Sequence, residues 1–148
     1  MQLAMLSSYL WLAGFVIGLG AVSVIETLGW LGQRSTYWTE TTIRTHKVTK
    51  PLIWFGLTLA TVGAVWHFVQ FGLSPVAYVL LGLGAVMIVN GSWLTFWLSP
   101  RLLELERQGQ AKRLLPKTWK RWITLSFCVS IVTWWSAFAI SISILVNG

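Results

Sequence analysis

The sequence predicts an all-α polytopic membrane protein, with four transmembrane helices arranged as two parallel-related hairpins and both termini outside. Three observations predict it. The 148-residue chain is 55% hydrophobic and only 10% charged, whereas a water-facing domain carries roughly 25% charged residues. Four apolar stretches are each long enough to cross a hydrocarbon core of about 30 Å, which takes about 20 helical residues. The basic residues fall in two places only, after the first stretch and after the third. Residues 1–148 therefore read as a single four-helix transmembrane domain.

The first span covers about residues 9–32 and can start as early as Leu3. It lacks the basic lead and the small-residue cleavage site of a signal peptide, so it is expected to be retained. A loop, residues 33–50, carries Arg34, Arg44, Lys47 and Lys50 against Glu40. The second span, 51–70, opens on Pro51, a residue suited to a first helical turn because its missing N–H costs nothing there. Only Phe71–Ser74 separate it from the third span, 75–98, so these two are expected to form a tight antiparallel hairpin. Ser74 is the expected N-cap and Pro75 the first helical residue.

In the second loop, 99–121, Ser99 and Pro100 start a short amphipathic helix. Its Leu102, Leu103 and Leu105 alternate with Arg101, Glu104, Glu106 and Arg107, and Gly109 stops it. The fourth span covers 122–146.

Charge sets the orientation. The first loop holds four basic residues against one acid and the second holds seven against two, while the termini and the 71–74 turn carry no charged side chain. Basic loops stay on the cytoplasmic side of a membrane, so both loops are cytoplasmic, in a setting expected to be the bacterial plasma membrane. Topology accounts for every basic residue, so nucleic acid is not expected as a partner. Anionic lipid headgroups are, at Arg101, Lys112, Arg113, Lys117, Lys120 and Arg121, with about 1 kcal/mol for each charge near the surface.

Small residues mark helix contacts. Gly14 and Gly18 form a GxxxG on the first span, and Ser126, Ser130, Thr133, Ala137 and Ser141 form one stripe on the fourth. The run Gly18–Val22 (GLGAV) recurs as Gly82–Val86, and the same offset pairs Glu26 with Asn90. A duplication would relate the two hairpins by an axis along the membrane normal. Of eleven Trp, Trp30, Trp54, Trp93, Trp97, Trp119 and Trp122 lie near inner span ends, and Trp11 and Trp66 mark the outer side, as interfacial anchors do. Trp134 and Trp135 are mid-span, and adjacent residues on a helix point about 100° apart. One of the two is therefore expected inside the bundle and the other against lipid or a partner.

The inventory for chemistry is thin. There is no Asp, one Cys, no HExxH and no Gly-rich phosphate loop, so no catalytic residue is assigned and an enzyme is disfavoured. Glu26 is the one acid inside a span. A carboxylate there costs a few kcal/mol unless neutralised or paired, so it is expected to face the bundle and bond Asn90 or a neighbouring Ser, Thr or Trp N–H, with Arg34 or Lys50 able to reach up to it from the inner loops. Glu26 with Asn90 is thus the candidate polar intramembrane site, either as glue between helices or as a proton or cation site.

His67 and Met5 are candidate ligands on the outer side, His67 for a haem or, with the thioether of Met5, for Cu(I). His46 and His67 are at opposite ends of one span, about 31 Å apart at helical rise, so one chain cannot hold a bis-histidine haem. No cofactor is assigned.

The segment Phe96–Trp97–Leu98–Ser99–Pro100–Arg101–Leu102–Leu103 resembles the aromatic-then-Pro-Arg-Leu exit of small four-helix bacterial membrane proteins of the copper-resistance D and membrane protoporphyrinogen oxidase types. That resemblance covers eight residues. It implies haem or copper chemistry and carries over no catalytic residue.

The leading functional expectation is a small non-enzymatic membrane protein acting as a homo-oligomer or as an accessory subunit of a larger complex. The alternatives are a transport or channel unit using Glu26, and a haem- or copper-dependent redox protein. In a Cys128→Ser background, cysteines placed at Arg44 and Lys117 should react with an impermeant thiol reagent only from the cytoplasmic side. Labelling from outside would reverse the topology.

Overall fold

The structure, a computed structural model, describes residues 2–32, 35–109 and 117–147. Its elements are α1 (Gln2–Gly32), α2 (Thr36–Phe71), α3 (Pro75–Trp93), a π-helical turn (Leu94–Leu98), α4 (Ser99–Arg107) and α5 (Lys117–Asn147). Four segments are long and apolar enough to cross a membrane: Leu3–Gly32, Thr39–Phe71, Pro75–Arg107 and Thr118–Val146. The chain is an all-α integral membrane protein. Successive spans alternate in direction, and ring contacts of Trp11 with His67 and of Phe15 with Phe138 bring the start of α1, the end of α2 and the end of α5 to one end of the bundle.

The deepest contact is α1 against α2. A side chain at Gly14 would strike the backbone of Gly56 and Ala60, one at Gly56 the backbone of Gly14 and Gly18, and one at Gly63 the backbone of Leu10 and Trp11. The expected GxxxG of α1 thus meets a matching small-residue face on α2, and the two helices run backbone to backbone. The Trp134 ring of α5 abuts Gly18, where any side chain would strike it. Around this contact an apolar core forms from Trp11, Phe15, Leu19, Val22, Leu80, Met87, Trp134 and Ala137. Trp134 is 3% exposed and Trp135 52%, so one of the pair points inward and the other outward. The α5 stripe Ser126, Ser130, Thr133, Ala137 and Ser141 is buried throughout. The Thr133 and Ser141 hydroxyls bond carbonyls of their own helix, at 2.7 Å to Val129 and to Ala137. This is how a polar side chain is carried on a packed membrane helix without a partner across it.

Three sequence expectations are corrected. Residues 36–50 are not a loop but the first four turns of α2, so Pro51 lies inside a helix rather than at its start. The segment is helical because it docks on α1: Thr42 Oγ1 donates to the Leu28 carbonyl at 2.8 Å and Thr39 Oγ1 to Gly32 at 2.7 Å. Glu40 pairs with Arg44 on the outer face at 2.6 Å. Next, Ser99 does not cap a new helix. Its N–H bonds Leu94 five residues back, so α3 runs through the π turn into α4 with helical backbone at Ser99. Gly109 does end α4, at φ +70°.

Finally, α2 and α3 do not pack as a hairpin, although Ser74 caps α3 as expected by accepting from the Ala77 N–H, with Pro75 first. The extensive pairings are α1 with α2, α3 with α5, and α1 with α5. The small face of α2 is already taken by α1, and Gly82 and Gly84 of α3 face open space among the described residues. At the basic end Lys47 of α2 and Glu106 of α4 form an ion pair at 2.8 Å.

A Gly56→Leu chain should lose at least about 3 kcal/mol, because overpacking a filled contact costs 1–3 kcal/mol and here the obstacle is backbone. Gly20→Leu, in open space, should stay within about 0.5 kcal/mol of wild type. Thermal or denaturant unfolding in detergent measures both, and equal effects would contradict the packing.

Candidate functional site

The antiparallel register of α1 and α2 sets which side chains meet. With Gly18 on Gly56 and Leu28 on Thr42, Glu26 of α1 is level with His46 of α2, and Lys50 follows one turn after His46. All three line an internal chamber at the basic end of the bundle, together with Asn90 of α3 and Ser130 and Lys120 of α5. Its apolar walls include Ile43, Leu98, Leu102 and Ile123, which form a second core cluster. The chamber has room for about 90 Å³ of water, where one water needs about 10–15 Å³.

Glu26 is 5% exposed. The Ser130 hydroxyl lies beside its carboxyl group, while Oε2 has no hydrogen-bond partner among the described residues, and neither has Nε2 of His46. Asn90 does not reach Glu26. It is paired with Ser126, whose Oγ donates to Asn90 Oδ1 at 2.6 Å while Asn90 Nδ2 donates to the Ser126 carbonyl at 3.1 Å.

That Asn90–Ser126 pair is also the floor of a second recess, an open groove of about 740 Å³ between α3 and α5, walled by Trp93, Trp97 and Trp122. Trp93 and Trp97 stack with centroids 4.9 Å apart and planes at 17°. Arg101 lies over Trp97 at 3.8 Å and bonds its carbonyl at 2.9 Å. The π turn is shared by both recesses: Leu94, Thr95 and Leu98 line the chamber while Trp97 walls the groove. Thr95 accepts from Trp54 Nε1 at 3.0 Å, fixing the turn to α2.

The other candidate residues are dispersed. His67 is buried at the far end among Trp11, Phe68 and Phe71, with centroids at 5.2, 5.8 and 4.6 Å. Met5 is 65% exposed and forms no site with it. Among the described residues no three His, Cys, Asp or Glu side chains gather to hold a metal. Arg101 and Arg121 are exposed, Lys120 lines the chamber, and Lys117 opens α5. Lys112, Arg113 and the Lys117 side chain lie outside the described residues.

His46 is the site residue that the sequence reading missed, while Lys50 lines the chamber with Glu26 as a cation from the first basic segment was expected to. The signal was present: Thr39, Thr42, Ile43, His46, Lys50, Ile53, Trp54 and Leu57, all lining the chamber, recur at steps of one, three or four, the face of a single helix.

Comparison of the chain with family models, curated proteins and solved structures gives no match. Asn90→Leu should strand the buried Ser126 hydroxyl and cost about 0.6–1.7 kcal/mol, the range of interhelical hydrogen bonds in membranes. Asn90→Leu and Ser126→Ala combined should cost less than the sum of the two alone. A double-mutant cycle in detergent reads the coupling, and strict additivity would contradict the pair.

Proposed function

We propose that this chain is a small non-enzymatic membrane protein that works inside an assembly, either as several copies of itself or as an accessory subunit of a larger complex, in the bacterial plasma membrane. The observation that supports this best is the groove between α3 and α5. It opens sideways, where the bilayer meets the bundle, yet its walls are Trp rings and its floor is an amide–hydroxyl pair. Asn90 and Ser126 satisfy each other there, so what the groove offers a neighbouring helix is close apolar contact with the rings, and close packing is what joins helices in a bilayer. Aromatic residues are also the side chains enriched where proteins meet.

Arg44, Lys47, Arg101, Arg107, Lys120 and Arg121 belong to the same end of the bundle, which supports a cytoplasmic position for that end. Arg101 and Arg121, exposed there, are suited to anionic headgroups. That Glu26 and Asn90, at equal offset in the suspected duplication, both face the chamber supports the repeat.

The chamber favours a second reading, a transport unit centred on Glu26. It would need several copies, because within one chain the apolar core fills the bundle beyond the chamber.

Gentle extraction followed by native mass measurement tests the first reading. A multiple of the 16.6 kDa chain, or the chain with a partner, is expected, and a lone monomer would overturn it. Trp97→Ala and Trp122→Ala should weaken the assembly by about 2 kcal/mol each, roughly thirtyfold, as truncated anchors do. Loss of ion or proton flux in liposomes with Glu26→Gln would instead favour the second.

A further inference from the structure

Neither reading uses one feature of the chamber. Glu26 and His46 sit level on facing helices, and each leaves a buried polar atom, Oε2 and Nε2, without a partner among the described residues. Native structures pair the large majority of their buried polar side-chain atoms, directly or through ordered water. His67 Nδ1 is unpartnered too, but it stands by itself at the far end of the bundle, whereas Glu26 and His46 are two titratable groups at one level of one cavity.

The cavity decides what occupies it. Its free volume, about 90 Å³, is enough for several waters. Two metal-ligating groups are too few for a buried transition metal, which takes three or four protein ligands. The lysines oppose a cation. A buried water needs two to four polar partners, and Glu26, His46 and Lys50 provide three.

We propose that Glu26 and His46 are a proton-exchange pair bridged by water in this chamber. In the forward step the Glu26 carboxyl O–H breaks and its proton passes to the bridging water. That water gives another proton to His46 Nε2, where a new N–H bond forms. The carboxylic acid and imidazole become carboxylate and imidazolium, the water is regenerated, and the reverse step restores the start. No oxidant or reductant is involved.

The charged and titratable groups facing the pair are Lys50 on α2 and Lys120 on α5, while α3 presents Asn90 and α4 presents Leu102. Lys47 is engaged by Glu106. Exchange with bulk water occurs at the basic end, since Trp11, Phe15 and Trp134 fill the bundle beyond the chamber. The pair stands whether or not protons cross the membrane.

The test is an infrared pH titration of the full chain in lipid nanodiscs, following the carboxylic C=O band. Glu26→Gln should abolish one titrating band that in wild type shifts on transfer to D₂O. His46→Gln should move that band's midpoint by at least about one pH unit, a tenfold change in proton affinity. An unchanged midpoint in folded His46→Gln, or no band lost in Glu26→Gln, would overturn the proposal.

If His46→Gln does not fold, the wild-type chain with ¹⁵N-labelled histidine serves, with His67→Phe to assign the signals. The His46 ring nitrogens and the Glu26 band should then share their titration steps, as coupled groups do. Independent midpoints would overturn it equally.

Discussion

The structure depends on a backbone-to-backbone contact between α1 and α2. Helices in a bilayer gain nothing from hiding apolar side chains, because lipid tails are as apolar as leucine, and association must come from close packing and polar contacts. Gly14, Gly18, Gly56, Ala60 and Gly63 supply that closeness. They also fix the register, since a glycine face admits only one alignment of neighbouring turns. Everything at the basic end inherits this alignment: Thr39 and Thr42 reach α1 carbonyls, α2 is helical from Thr36 onward, and Glu26 is level with His46. The fifth helix is keyed to the same contact by Trp134 lying on Gly18.

The bundle divides along its length according to what fills it. Toward the termini the space is taken by rings and aliphatic groups, with edge-on packing of Phe15 against Trp134 at 5.9 Å. Toward the basic end the helices are joined by hydroxyl–carbonyl bonds, the Asn90–Ser126 pair and the Trp54–Thr95 bond. Hydrogen bonds hold helices at the length of their side chains, whereas glycine contacts bring them to backbone distance. A chamber is therefore found in the half that polar groups hold together.

Much of this was legible in the sequence. The count of spans followed from composition, the packing of α5 from its small-residue stripe, the opposed fates of Trp134 and Trp135 from helical geometry, and the end of α4 from Gly109. What was not legible had physical reasons. Residues 36–50 look like a loop because four charges and a following proline outweigh local helix preference. Their helix is stabilised by tertiary contact with α1, which no local pattern shows. Misreading that segment hid His46, since a face cannot be traced through a presumed loop. The separation of α2 from α3 was hidden because a short connection fixes proximity only at the turn. Asn90 and Ser126 are 36 residues apart, and their pairing is set by how α3 and α5 rotate against each other.

The π turn at Leu94–Leu98 is a phase shifter. Closing its ring at Ser99 to Leu94 takes in one residue more than an α-helical turn, and each residue advances a helix by about 100°. The face of α3 before the turn and the face of α4 after it are thus out of step by that one residue, although the axis continues. The offset lets one uninterrupted span obey two neighbours, presenting Trp93 and Trp97 to α5 above and Leu102 and Glu106 to α2 below. In a strictly α-helical version of the span, one residue shorter, α4 would be rotated by about 100° relative to α3. Leu102 would leave Ile43, and Glu106 would leave Lys47.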